Sequence, residues 1–387
     1  MKNKDIAIIG YSETKIRHRT NRSVYDLAGE AFSMLLESTG IEKSKIDGMS
    51  LTAPMSEANP FIANYMCDTL GLSPIWLNLS ALGGCSAIGG VARAAAAIRN
   101  GDCETVVVIS ADAPSTRILA RHDAYRGEFQ DPIGVQGPPG MFGLLMSRYE
   151  HSYKLIPEAL GKIAITQREH AVLNDNAYEK FRKTITMEEY LESRMVCDPL
   201  RLYDSVMYCD GANAVIVTTT ENAKKMGFKK MVHPVAYSEV SNYNGDKAAP
   251  DITETGFAYA GPTALKKAGM TPSDISMFQP YDDFTVAIML KMEQIGFCGR
   301  GEGSRYILDT DLSYNGKLPL NTGGGQISAG QPGLAGGGLN LVEAVRQLFG
   351  EGGARQVPNP KNAMVTGIGG IPYGRNWMIS AVMILEA

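Results

Sequence analysis

The stretch 83–110 constrains this chain more than any other. Gly83-Gly84 forms a turn that hands Cys85 to an Ala-rich run, Val91-Ala92-Arg93-Ala94-Ala95-Ala96-Ala97-Ile98-Arg99-Asn100. That run closes on Gly101 and leads to Val106-Val107-Val108-Ile109-Ser110. Alanine is the strongest helix former, and glycine ends helices at the position after the C-terminus. A short β-branched run reads as a buried parallel strand. The small residues around Cys85 let the helix lie close to other backbone, so the spacing predicts a central helix. A thiol at a helix N-terminus meets unpaired N–H groups and the positive dipole end, which favour thiolate. Free cysteine is equally among the most buried and inert residue types. The stretch by itself fits either role.

Upstream and downstream, β and α patterns alternate. Strands are expected at Ile6–Ile9, Ile46–Leu51 and Trp76–Ser80, and helices at Ser23–Leu36, with Ser23 as N-cap, and Ala58–Leu70. Such alternation argues for an α/β layered fold around a buried sheet. The order then returns. Tyr237-Ser238-Glu239 repeats Tyr11-Ser12-Glu13, and Gly269–Ile275 repeats Gly40–Ile46. An Ala/Gly/Leu helix at Gly336–Gly350 precedes the strand Ala363–Thr366, as the Cys85 helix precedes 106–110. Three matches in one order predict a duplicated unit. The expected organisation is one half at 1–112 plus 205–228, an insertion at 113–204 with helical patterns at 141–153, 157–174 and 187–195, and a second half at 229–387. A long insertion after a sheet strand is usually a lid or binding subdomain.

With 387 residues, a net charge of −4 and both signs well mixed, the chain has no character that points to nucleic acid or an anionic membrane as main partner. No apolar run approaches the ~18–20 residues of a membrane span. The N-terminus enters a strand without a signal-peptide pattern. The six cysteines are scattered, with no C-x-x-C, so neither a zinc site nor a disulfide framework is indicated. The expected setting is the reducing cytoplasm.

Gly83-Gly84-Cys85-Ser86, Asp210-Gly211-Ala212, Tyr281-Asp282-Asp283-Phe284-Thr285, Asn321-Thr322-Gly323-Gly324-Gly325-Gln326 and Gly367-Ile368-Gly369-Gly370, set in two like halves, resemble the thiolase superfamily over essentially the whole chain. The chain is most similar to the degradative thiolases of sterol-carrier-protein type, and among these to thiolases that cleave benzoylsuccinyl-CoA. The resemblance implies a thiolase fold, two duplicated α/β halves in a layered αβαβα arrangement with an inserted loop domain. It implies Cys85 as the nucleophile that takes an acyl group. Its N–H, with that of Gly369 or Gly370, would form one oxyanion hole. Tyr281 and Gln331 would face a thioester enolate, and Arg121, Ser328 and Gly330 would contact coenzyme A, which is a substrate here. A homodimer through the sheet edges is implied, with a small OB-fold/zinc-ribbon partner that brings the zinc.

Two departures from the family pattern stand out. Gln331 replaces the histidine of Gly-His-Pro, and Thr366-Gly367 stands where relatives carry a second cysteine. Gln331 donates hydrogen bonds but takes no proton. Tyr281 and Tyr373 remain as acids or donors. Three readings follow: thiolysis of a β-ketoacyl-CoA through an acyl-cysteine, a retro-aldol cleavage of β-hydroxyacyl-CoA side chains that uses tyrosine and no cysteine, and a non-catalytic scaffold that carries acyl groups or lipids. His122 and the set Arg117, Arg121 and Arg126 fit a solvated face as well as substrate contacts. His151 and His170 read as structural and Asp210 as a turn residue; Asp282 and Asp283 fit catalysis, but Asp after a strand end more often caps the following helix, here Thr285–Ile295.

Overall fold

The computed structural model describes residues 4–57, 59–117, 127–135, 137–248, 250–371 and 377–387. The strands are β1 (Ile6–Glu13), β2 (Gly48–Thr52), β3 (Trp76–Ser80), β4 (Thr105–Asp112), β5 (Met195–Cys197), β6 (Leu200–Arg201), β7 (Gly211–Thr219), β8 (His233–Ser241), β9 (Phe278–Gln279), β10 (Asn362–Ile368) and β11 (Ile379–Glu386). The helices are α1 (Val24–Thr39), α2 (Ile62–Leu70), α3 (Ser86–Asn100), α4 (Gly127–Gln130), α5 (Gly137–Ser152), α6 (Pro157–Val172), α7 (Met187–Glu192), α8 (Thr220–Lys225), α9 (Phe257–Ala268), α10 (Thr285–Ile295), α11 (Gly303–Asp309), α12 (Gly325–Ala329) and α13 (Gly336–Leu348). Ser23 caps α1 by accepting the Asp26 N–H at 3.1 Å, and Gly101 ends α3 in the left-handed region. Where a helix was expected from Ala58, α2 begins at Ile62. Asn59 Oδ1 instead takes the Phe61 N–H, which holds a turn after Pro60. Among the described residues no helix is long and apolar enough to cross a membrane.

Two sheets carry the fold. One runs β1-β7-β4-β2-β3 and the other β8-β11-β10-β9. In both, the first three strands are antiparallel neighbours and the fourth is parallel to the third. The same strand pattern occurring twice is what the internal repeat predicted. Alternate side chains of each strand face opposite layers. Val106 and Val108 join a core with α3 and α13, whereas Val107 and Ile109 pack against α1 and α2. On the second sheet Ala381 and Met383 join the α3/α13 core, and Val382 and Ile384 face α9, α10 and the insertion. The layers are therefore αβαβα, with α3 and α13 in the middle.

Close approach in that middle layer requires glycine. A Cβ on Gly337 would lie 2.2 Å from the Gly84 carbonyl oxygen. Across the same layer the repeated Tyr-Ser-Glu strand ends reach into opposite halves. Glu13 pairs with Arg346 of α13 at 2.7 Å, and Glu239 pairs with Arg93 of α3 at 2.9 Å. The insertion is anchored by Asp204, which accepts from Tyr190 Oη at 2.7 Å and from Thr285 Oγ1 at 2.6 Å, tying it to the start of α10.

Candidate active site

A cavity of about 320 Å³ opens where the first half, the second half and the insertion meet. Its wall is mostly apolar: Met55, Val206, Phe284, Leu334, Ile368 and, from α5, Pro138 and Pro139. Asp112 braces three parts of the surround by accepting the N–H groups of Met55 at 2.9 Å, Ser56 at 3.0 Å and Leu334 at 3.0 Å. Phe284 is stacked on Phe142 of α5, ring centroids 4.0 Å apart, so the insertion sets that part of the wall. The polar groups on the wall include Tyr208, Tyr281, Asp283, Gln331 and Ser205.

Tyr281 follows β9 and is held at its backbone. Its N–H donates to Thr366 Oγ1 at 3.1 Å, and its carbonyl accepts from Lys291 Nζ. Thr366 thus serves the tyrosine at the position where the resemblance would have placed a second thiol. The Tyr281 oxygen accepts from Gln331 Nε2 at 3.2 Å. Gln331 Nε2 also donates to Gln326 Oε1 at 3.0 Å, which fixes the amide orientation. With an N–H already aimed at its oxygen, the phenol has its own proton to donate. Burial and the neighbouring Asp283 push the Tyr281 pKa well up, so the phenol is neutral at physiological pH.

Asp282 and Asp283 do not cap α10, contrary to expectation. The N-cap is Phe284, with no side-chain cap bond. Asp282 turns away to accept the N–H groups of Gln326 at 2.9 Å and Ile327 at 3.1 Å, and an amide N–H of Gln167 from the insertion. Burial raises its pKa to about 6. Asp283 faces the cavity, and its buried Oδ1 has no hydrogen-bond partner. Burial drives the Asp283 pKa up, and the Lys291 cation pulls it back down. A carboxylate with a raised pKa and an open lone pair in a cleft has the character of a general base.

Cys85 lies behind this wall, next to Gly84. It is at the N-cap of α3, as predicted, but none of its surface is exposed and it does not line the cavity. Its thiol donates to the Ile379 carbonyl at 3.7 Å, and burial raises its pKa. Desolvation here works against the thiolate that the helix end favours. Two of the N–H groups expected in an oxyanion hole beside it have backbone partners. The Cys85 N–H donates to Leu82 O at 3.1 Å and the Gly369 N–H to Ile379 O at 2.8 Å. Gly369 and Gly370 do line the cavity. Ser328 and Gly330, expected at coenzyme A, do not. Ser328 is buried with its Oγ unpartnered, and Gly330 packs on Cys209 and Ile16.

His170 directs its Nδ1 at the Leu320 and Asn321 carbonyls at 3.0 and 3.2 Å. Asp210 ties loops together through Thr20, Ser115 and Thr116. Arg117 pairs with Glu57. Arg121, Arg126, His122 and Tyr373 lie outside the described residues. The residue patterns give no sign of Tyr208 and favour a cap role for Asp283 that the structure does not show. A signal for Lys291 was present, since it sits in Thr285–Ile295, a helix apolar on nearly every face.

A family model described as "Thiolase C-terminal domain-like" matches residues 238–386. The chain is 30% identical over 386 residues to the 17-hydroxy-3-oxo-4-pregnene-20-carboxyl-CoA lyase of Mycobacterium tuberculosis, covering 95% of this chain and 97% of that one. It is 32% identical over 266 residues to the benzoylsuccinyl-CoA thiolase subunit BbsB of Thauera aromatica, 67% of each chain. Among solved structures it is similar to one described as an Ltp2-ChsH2(DUF35) aldolase, with a TM-score of 0.85 and 27% identity over 100% of this chain and 99% of that one.

Proposed function

This chain belongs to the thiolase superfamily, and from that premise we propose that it cleaves a carbon–carbon bond of a β-hydroxyacyl-CoA by a retro-aldol reaction. The observation that carries the reading is that the cavity is lined by the Tyr281 phenol and the Asp283 carboxylate and not by the Cys85 sulfur. Asp283 accepts the β-hydroxyl proton. The oxygen's electron pair becomes the carbonyl of a ketone or aldehyde, and the Cα–Cβ bond breaks. Its electrons move into the thioester enolate, whose oxygen receives a hydrogen bond from Tyr281 Oη, itself steadied by Gln331. The proton held on Asp283 is then available to the α-carbon, which leaves a shorter acyl-CoA. The apolar wall suits a bulky hydrocarbon group on the leaving carbonyl. The steroid substrate in the name of the M. tuberculosis relative is of that kind.

Thiolysis of a β-ketoacyl-CoA through an acyl-cysteine is the competing reading, supported by Cys85 at a helix N-cap and by the likeness to BbsB. The variant Cys85→Ala separates the two. Under our reading it keeps β-hydroxyacyl-CoA cleavage and forms no acyl adduct before or after the change. If intact mass shows an acyl group on wild-type Cys85, and turnover vanishes in the variant, thiolysis replaces it. A protein that turns over neither substrate class would be a carrier.

We read the chain as one that assembles further. The edge strand β3 exposes Leu77 and Leu79, beside Ile75 at 75%, Phe61 at 61% and Tyr65 at 49% exposure. An apolar, unpaired strand edge of this kind is suited to pairing with a second copy. The solved relative's description names a DUF35 component, and we assign this chain a small partner of the same type.

A further inference from the structure

Lys291 lies in the middle of α10 with no exposed surface. Its Nζ donates to the Tyr281 carbonyl and stands 5.2 Å from the Phe257 ring centre and 6.0 Å from that of Trp377. Among the described residues it forms no ion pair. An ammonium without water persists only where other charge or dipoles compensate it. The carbonyl it holds belongs to the residue just before Asp282, which is fully buried, and Asp283, which is half-buried with its Oδ1 enclosed. Asp282 already accepts from Gln326, Ile327 and Gln167. Asp283 has an oxygen without a partner, on the cavity wall.

We propose that Lys291 is a positioning residue of this site, one that fixes Tyr281 through its carbonyl and serves as the built-in counter-charge that keeps Asp283 ionised for proton abstraction. The inference rests on the retro-aldol reading. The ionisable groups that act on this cluster are Asp282, Asp283, Tyr208, Tyr281 and Cys85. The carboxylates, phenols and thiol each favour the protonated form when buried, and Lys291 is the cation set against them. Lys291 lowers the Asp283 pKa that burial raises, and Asp283 and Asp282 raise the Lys291 pKa that burial lowers.

The experiment is the pH dependence of kcat/KM for wild type, Lys291→Met, Lys291→Arg and Asp283→Asn. Lys291→Met is expected to move the acidic limb upward by about one pH unit or more, the scale of losing a nearby opposite charge. Activity lost near neutrality then returns at higher pH. Lys291→Arg keeps the limb where wild type has it, at reduced rate. A pH-independent loss in Lys291→Met would overturn the proposal and leave Lys291 a packing residue. Should Asp283→Asn keep the wild-type acidic limb, the retro-aldol reading itself falls, whatever Lys291 does. If Lys291→Met proves too unstable to assay, the double variant Lys291→Met/Asp283→Asn decides. Recovery of thermal stability when both charges are removed supports the pairing, and absence of recovery overturns it.

Discussion

Gly84 and Tyr281 occupy one space: a Cβ on Gly84 would lie 2.1 Å from Tyr281 Cε2 and 2.4 Å from its Cζ. The glycine that precedes the cysteine is therefore the seat of the phenol. It lines the cavity, and the residue after it does not. The Gly-Gly-Cys turn in this chain makes room for a ring, and the sulfur is packed behind it.

Gly84→Ala should displace the Tyr281 ring, because the Ile368 carbonyl, 2.7 Å from the same Cβ position, blocks the other way out. Overpacking of this kind costs about 1–3 kcal/mol. Activity should fall much further than stability, since the phenol is moved off its position. Melting temperature and kcat measured together check this, and a variant with unchanged kcat contradicts it.

Tyr281→Phe removes the hydroxyl and leaves the ring in place. Gln331 keeps its bond to Gln326 Oε1, so the fold is expected to hold. Loss of one positioned proton donor lowers kcat by roughly 10²–10⁴-fold. KM should change little. Because the wild-type phenol pKa is raised, the wild type should show no alkaline loss of rate from Tyr281 up to pH ~10, its ordinary value.

Glu343 predicts the acid limit of the fold. It accepts from Arg355 Nη2 at 2.9 Å, Arg346 Nη1 at 2.5 Å, Thr322 Oγ1 at 2.8 Å and Gln347 Nε2 at 2.9 Å. Although burial alone would raise its pKa, the two guanidinium groups and these bonds lower it to about 2. A carboxylate depressed on folding contributes stability above its unfolded pKa of ~4.3 and loses it as pH falls toward the folded value. That contribution is on the order of 2–3 kcal/mol. Denaturant unfolding at a series of pH values between neutral and 3 should show this slope in wild type. Glu343→Gln should flatten it, and should destabilise the protein at pH 7 by leaving two arginines without their shared partner.

Charge on the exposed edge should prevent self-association. Leu77→Lys with Leu79→Lys places like charges along β3, where an antiparallel copy would meet them. Sedimentation should show the wild type as a dimer and this variant as a monomer with unchanged secondary structure. A wild type that sediments as a monomer at micromolar concentration removes the edge-pairing reading.

Much of the architecture is readable from patterns along the chain. The Ala-rich helix stops at Gly101, Ser23 caps α1, and β-branched runs form β4 and β7, because helix ends and strand periodicity are local properties. The duplication is visible as well: matching Tyr-Ser-Glu ends sit on β1 and β8, the first strands of like sheets. The active-site cluster is less so. Asp283 after a strand and before a helix looks like a cap, and only the backbone path through Phe284 turns it toward the cavity.

What the order of residues establishes, then, is the layered α/β framework and the position of Cys85 at the head of a central helix. Which of its neighbours reaches the substrate is a matter of packing between segments far apart in the chain. Cys85 meets Ile379 across 294 residues and Tyr281 meets Gln331 across 50. Burial depends on those contacts, and burial controls whether a thiol ionises. Desolvation opposes the thiolate that a helix end favours, and it is the carboxylate and phenol that line the open space while the sulfur is enclosed.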